Sequence, residues 1–401
     1  MKGPIKLVKS GKVEGLKALG PIHEWSEGAA YLIIEQVSYK GTPGVFVCYH
    51  NPPVHQVGNP GLDAYLEGLD KVYSRNGDLR FLILYGANDP VHAGGDLKES
   101  LEKLDRTLTM KKEKEKTRAP ASEIDQLYDW ADNRLRKGIA LHGSVRKIAQ
   151  HLRVVAVCGG GTRYGGSAEI PLLADHLVGD SRSGMCFSEV MIGLLPGWSG
   201  VARSIVKAGP VNARYMALTG KELKADKLKA IGIYNVVVEV PIAFPRMGKT
   251  GDPKADKAAY GESLDKHDEE TGIRLLPVGL EMATCPAQEI PVVREPAQLV
   301  SESEIAQEVN RRRNPQNYAH LWGKTLKESR DEISALGRPL APESVDALSK
   351  LFASYDVASF DEFTFVKREM EADAGLYRDD RLRAGLVATL EQRVADYREA
   401  S

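Results

Sequence analysis

The sequence predicts an α/β protein built from repeated strand–strand–helix units. Three observations carry this. Short apolar runs such as Leu79-Arg80-Phe81-Leu82-Ile83-Leu84-Tyr85-Gly86 end on glycine, as buried strands do. Glycine-rich turns at Gly94-Gly95 and Gly159–Gly166 then lead into helical patterns. Near the N-terminus, two strand patterns precede a helical one.

Taken in order, Tyr31–Glu35 and Gly44–Tyr49 read as a hairpin turning at Tyr39-Lys40-Gly41-Thr42-Pro43. Asn51-Pro52-Pro53 ends the second strand. Leu62, Tyr65, Leu66, Leu69 and Val72 then recur at helical spacing up to Tyr73. After the strand Leu79–Tyr85, Asp96 is placed to cap a helix. Lys111–Lys116 alternates charge, as a solvated helix or loop does. Ile124–Ile148 is helical in pattern, with Leu127, Trp130, Leu135, Ile139 and Leu141 apolar. Val154–Cys158 is a further strand. Phe244–Glu281 is rich in Gly, Pro, Lys and Asp with few large apolar residues, so an irregular arm is expected there. From Glu304 the pattern is helical again.

Composition excludes several classes. The 54 basic and 55 acidic residues give a net charge of −1, without the basic excess of a nucleic-acid footprint. No apolar run reaches the ~18 residues a membrane span needs. The basic Met1–Lys6 is not followed by an apolar stretch, so no secretory leader is expected. Cys48, Cys158, Cys186 and Cys285 are scattered without metal spacing. Reduced thiols, a cytoplasmic location and no metal are the expectations.

The chemistry concentrates at two glutamates. Glu169 closes the turn Gly165-Gly166-Ser167-Ala168-Glu169, and Glu189 follows twenty residues later, opening Glu189–Trp198. Paired carboxylates suit acid–base work on water, one taking a proton while the other delivers one. Either alone reads better as a helix cap or salt-bridge residue; it is the pair that points to catalysis. The glycine turns at Gly95 and Gly166 offer backbone N–H groups to a developing oxyanion.

The segment Ala93-Gly94-Gly95-Asp96-Leu97-Lys98-Glu99, the turn ending at Glu169 and Ser188–Gly197 resemble motifs of the crotonase (enoyl-CoA hydratase/isomerase) superfamily, in the same order. Tyr215–Gly220 and Ala230–Val237 continue the likeness, which runs from about Tyr31 to Val240 and resumes near the C-terminus. The resemblance implies a spiral of β-β-α units with a C-terminal helical trimerisation region. It also implies a catalytic core at 24–240 carrying an inserted helical segment near 105–148, an irregular 241–303 and an oligomerisation region at 304–401. Gly95 and Gly166 then supply the oxyanion N–H groups, and Glu169 and Glu189 handle the catalytic water. Ala93, Lys98, Gly197 and Trp198 border the substrate, and Arg393 is a candidate for CoA phosphate. Thr389 and Gln392 depart from the family's terminal helix, standing where an aromatic residue and a lysine are common.

The activity implied is addition of water to an α,β-unsaturated CoA thioester. CoA is part of the substrate, so no separate cofactor is expected. The inserted helix and Trp198 point to a bulky or cyclic acyl group. The alternatives are a ring-opening carbonyl-CoA hydrolase, similar to 6-oxocyclohex-1-ene-1-carbonyl-CoA hydrolase, then an enoyl-CoA isomerase, then a catalytically silent CoA-binding protein. A homotrimer or a dimer of trimers (a homohexamer) is the expected assembly.

Overall fold

Apolar runs become strands and their glycine ends become turns in the computed structural model, which describes residues 3–248, 250 and 252–398. The strands are β1 (Leu16–Glu27), β2 (Ala30–Tyr39), β3 (Thr42–His50), β4 (Phe81–Gly86), β5 (Val91–His92), β6 (Arg153–Cys158), β7 (Thr162–Tyr164), β8 (His176–Asp180), β9 (Gly184–Cys186), β10 (Leu223–Lys224) and β11 (Val236–Val238). One sheet has the order β1-β2-β3-β4-β6-β8-β11 and the other β10-β9-β7-β5. Strands β1 to β3 pair antiparallel, and the large sheet is parallel from β3 onward. Strand β4 is almost wholly buried, as the apolar run requires of a parallel strand covered on both faces.

The repeat is visible in chain order. Strand β4 belongs to the large sheet and β5 to the small one, and the helix Leu97–Lys116 follows. Strands β6 and β7 precede the helix Gly166–Leu172. Strands β8 and β9 precede the 3-10 turn Ser188–Met191 and the helix Gly200–Thr219. This is the expected β-β-α spiral.

The chain divides into two units. The first comprises Met1–Gly94, Ala140–Met185 and Glu222–Ala297, and the second Gly95–Ile139, Cys186–Lys221 and Gln298–Ser401. In the first, Phe46, Phe81, Ile83, Val155, Val157 and Val178 share a core with Leu275, Leu276 and Leu280. Those leucines correct the expected irregular arm, because Pro253–Thr284 is a 32-residue helix. Its contact face is made with glycine rather than bulk. A Cβ on Gly272 would collide with Leu7 and the Tyr85 hydroxyl, and one on Gly279 with Val157.

The same helix buries Asp268, whose Oδ1 accepts from Asn88 N–H at 2.7 Å and from the Asn88 amide at 2.8 Å. Burial pushes this carboxyl up to about 7, against the Asn88 hydrogen bonds that pull it down. The unfolded group ionises near 3.9. Asp268 therefore favours the fold below that pH, and its contribution is lost as pH rises through about 7. Asp268→Asn is expected to flatten the dependence of Tm on pH over that window. An unchanged Tm–pH slope in thermal melts would contradict this.

The second unit is mainly helical. Asp96 caps the helix Leu97–Lys116, its side chain accepting from Glu99 N–H at 3.0 Å, as its place in the sequence predicts. The helices Leu97–Lys116 and Asp129–Ile148 fill most of the region expected to be helical, so Lys111–Lys116 is helix rather than loop. Glu302–Arg313, Arg330–Leu336, Pro342–Ala353, Glu362–Leu376 and Leu382–Leu390 are the unit's C-terminal helices. Among the described residues, no helix is long and apolar enough to cross a membrane.

Candidate active site

The first glycine turn hangs from the loop after β3. Ala93 N–H donates to the Val54 carbonyl at 2.7 Å, and Val57 N–H donates to the Gly94 carbonyl at 3.0 Å. The second turn folds against it. A Cβ on Gly94 would stand 2.8 Å from the Tyr164 oxygen and 2.9 Å from the Gly166 nitrogen, so only glycine allows this approach of two backbones. Ser167 Oγ donates to the Ala93 carbonyl and ties the turns together. Gly95 follows Gly94 by one peptide bond.

Gly166 opens the helix Gly166–Leu172 after Gly165, which holds φ +53 in the left-handed region. Glu169 lies in the first turn of that helix with only 3 % of its surface exposed. A carboxylate there faces the positive end of the helix dipole. Beside the turns, His92 and Arg163 are register partners on the parallel pair β5 and β7. From the sequence, His55 and His92 lie near the first turn, where a lone histidine reads as a structural donor, and Arg163 stands just before the second, where it can add a polar group. His55 Nε2 meets Asp89 Oδ2 at 2.6 Å, and Asn51 N–H donates to His55 Nδ1 at 3.1 Å. Nδ1 is therefore the acceptor, and Nε2 carries the proton given to Asp89. Burial holds His50 down at about 4, with His55 pushing the same way.

The second unit carries the remaining predicted residues. A Cβ on Gly95 would run into Arg134 Nη2, so a buried guanidinium lies beside the expected oxyanion donor. Arg134 pairs with Glu99 at 3.5 Å and stacks on Trp198, 5.4 Å from the ring centroid. The Trp198 indole also lies over Gly138, where any Cβ would strike it. Trp198 thus meets the helix Asp129–Ile148, the segment expected to shape the acyl pocket. Arg134 escaped sequence reasoning. Its signal was the i, i+4 spacing of Arg134 and Gly138, which puts a charge and a gap on one helix face.

Glu189 is buried in the 3-10 turn Ser188–Met191. C-terminal residues hold this segment. Ala341 N–H donates to the Val190 carbonyl at 2.9 Å, and Tyr397 Oη donates to the Met191 carbonyl at 2.7 Å. Asp373 Oδ1 accepts from Leu195 N–H at 3.0 Å, and Gly197 leaves no room for a Cβ against Asp373. Lys98 is exposed in the first turn of its helix. Arg393 pairs with Glu391 at 3.0 Å and donates to the Gly323 carbonyl at 2.7 Å. Among the described residues, no group of three or more His, Cys, Asp or Glu is placed to hold a metal ion.

Two sheets wound as β-β-α repeats, with glycine turns folded together ahead of a buried glutamate, are the features of a crotonase-type spiral. The profile of the enoyl-CoA hydratase/isomerase family matches residues 141–241. A short-chain-enoyl-CoA hydratase of Clostridioides difficile is 30% identical over 107 residues, covering 27% of this chain and 69% of that protein. The chain belongs to the enoyl-CoA hydratase/isomerase family. A fatty acid oxidation complex subunit alpha of Idiomarina loihiensis is 27% identical over 186 residues, 46% of this chain. The matched stretch spans only 22% of that longer relative. An enoyl-CoA hydratase of Rhodobacter sphaeroides shares the fold at a TM-score of 0.51 and 13% identity, with 86% of each chain covered.

Proposed function

We propose that the protein is an acyl-CoA hydro-lyase adding water across the α,β double bond of a CoA thioester. The observation that carries the reading is Gly94 seated on the amide of Gly166, with Glu169 in the first turn of the helix that Gly166 opens. Negative charge gathers on the thioester oxygen as the enolate forms, and Gly95 and Gly166 N–H are assigned to it. One such donor typically stabilises the transition state by ~3 kcal/mol. Glu169 and Glu189 divide the proton work. One takes a proton from water as its oxygen bonds to the β-carbon, and the other supplies the proton to the α-carbon. Family membership and the motif order support this division.

Mass spectrometry of the products from linear and cyclic enoyl-CoA thioesters tests the reading. Gain of one water with the acyl skeleton intact supports it. Gain of water with a new carboxylate indicates the ring-opening hydrolase instead. No reaction across the panel would sink both. We further propose a homo-oligomer, a trimer or dimer of trimers, on the resemblance, and a cytoplasmic location on composition.

The second part of the reading is a bulky or cyclic acyl group, favoured by the flat Trp198 ring braced by Arg134 and Gly138. One methylene in an apolar pocket changes selectivity by only ~1–3 kcal/mol, so the preference is graded. Trp198→Ala is expected to raise activity on linear crotonyl-type thioesters relative to cyclic ones. A parallel fall in kcat/KM for both classes would make Trp198 a packing residue only.

A further inference from the structure

Arg163 is a buried arginine that no carboxylate among the described residues meets at ion-pair distance. It is 5 % exposed, and Nη2 donates to the Gly159 carbonyl at 2.8 Å. Its Nη1 is buried without a hydrogen-bond partner, and no carboxylate pairs with it among the described residues. An isolated buried charge is costly unless something neutralises it. Beside it, His92 is 4 % exposed and its Nε2 is also buried without a partner. Burial, reinforced by the Arg163 charge, lowers the His92 imidazole well below its ordinary range, so the histidine is neutral.

Both side chains line a cavity of about 80 Å³ within the first unit. His55, Tyr49, Tyr65 and Ser167 contribute its other polar atoms, and Val57, Leu84, Val157 and Ile170 its apolar wall. The two turns bound it, because His92 directly precedes Ala93 and Ser167 directly follows Gly166. Ser167, the residue after Gly166, lines the cavity, so the cavity adjoins the turn that offers the Gly166 amide.

We propose that the cavity is a subsite for a carboxylate carried at the far end of the acyl group, with Arg163 Nη1 as its principal donor. The substrates are then CoA thioesters whose acyl chain ends in an acid, which rests on the thioester reading above. His92 Nε2 accepts a hydrogen bond from a water whose other O–H donates to the carboxylate. The aliphatic lining holds the few carbons between the acid and the thioester. Arg163 and His92 are specificity residues here, distinct from the oxyanion donors and the glutamates.

Calorimetry on the full-length protein tests this with unreactive saturated ligands: adipoyl-CoA, hexanoyl-CoA, CoA alone and free propionate. The wild type is expected to bind adipoyl-CoA roughly 10- to 100-fold tighter than hexanoyl-CoA, the usual strength of a charged hydrogen bond. Arg163→Met should erase that preference while hexanoyl-CoA affinity holds, and Arg163→Lys should recover part of it. Circular dichroism and a melt establish that each variant folds. If Arg163→Met does not fold, His92→Leu gives the second reading, with a smaller loss of the same preference. Equal affinity of the wild type for both thioesters would overturn the proposal, as would a preference that survives Arg163→Met. Arg163-dependent binding of propionate without discrimination between the thioesters would also overturn it, placing the anion's source in solution. Failure of every thioester to bind would instead remove the CoA-thioester reading itself.

Discussion

Glu169→Gln and Glu189→Gln are each expected to lower turnover by at least ~100-fold, the ordinary scale for losing a general acid or base. Glutamine keeps the size and hydrogen-bonding shape of glutamate but cannot take up or release a proton near neutrality. Both side chains are buried, Glu169 at 3 % exposure and Glu189 at 8 %, so solvent buffer cannot readily stand in for them. Affinity for a saturated CoA thioester should change little, because neither carboxylate is assigned to the nucleotide. Steady-state kinetics alongside binding measurements separate the two effects. A variant with wild-type turnover would end the two-glutamate mechanism, whereas parallel loss of binding and turnover would point to misfolding. If only one variant loses activity, the isomerase reading gains, since one carboxylate can shuttle a proton between two carbons.

Much of the site's local geometry was legible because it depends on short-range chemistry. Asp96 caps its helix and Glu169 enters the first turn of its own, and both follow from the position of a polar residue after a glycine turn. Other features depend on distant partners. Strand β1 escaped notice because it is a largely exposed edge strand interrupted by Gly20 and Pro21, so no clean alternation marks it. The helix Pro253–Thr284 hid for the opposite reason. It reaches its core through Gly272 and Gly279, residues that read as breakers until the surfaces they admit are known. The unpaired state of Arg163 cannot be read from sequence at all, since it depends on which carboxylates the fold leaves out of reach.

The second large effect concerns the amide rather than a side chain. Gly166→Pro is expected to reduce turnover by roughly 100- to 1,000-fold by deleting one oxyanion donor. Gly166 is the first residue of the helix Gly166–Leu172, a position where proline fits the helical φ and no intrahelical hydrogen bond is lost. The missing N–H is therefore the main chemical change, although the ring must share space with Gly94, whose own Cβ would come within 2.9 Å of the Gly166 nitrogen. Crowding there can loosen the turn, so circular dichroism and a thermal melt accompany the kinetics. Gly166→Ala is the matched control, because it alters the side chain and keeps the N–H. Loss confined to the proline variant assigns the donor to Gly166. Equal loss in both variants would assign the effect to crowding against the first turn, and a folded, fully active proline variant would place the donor elsewhere.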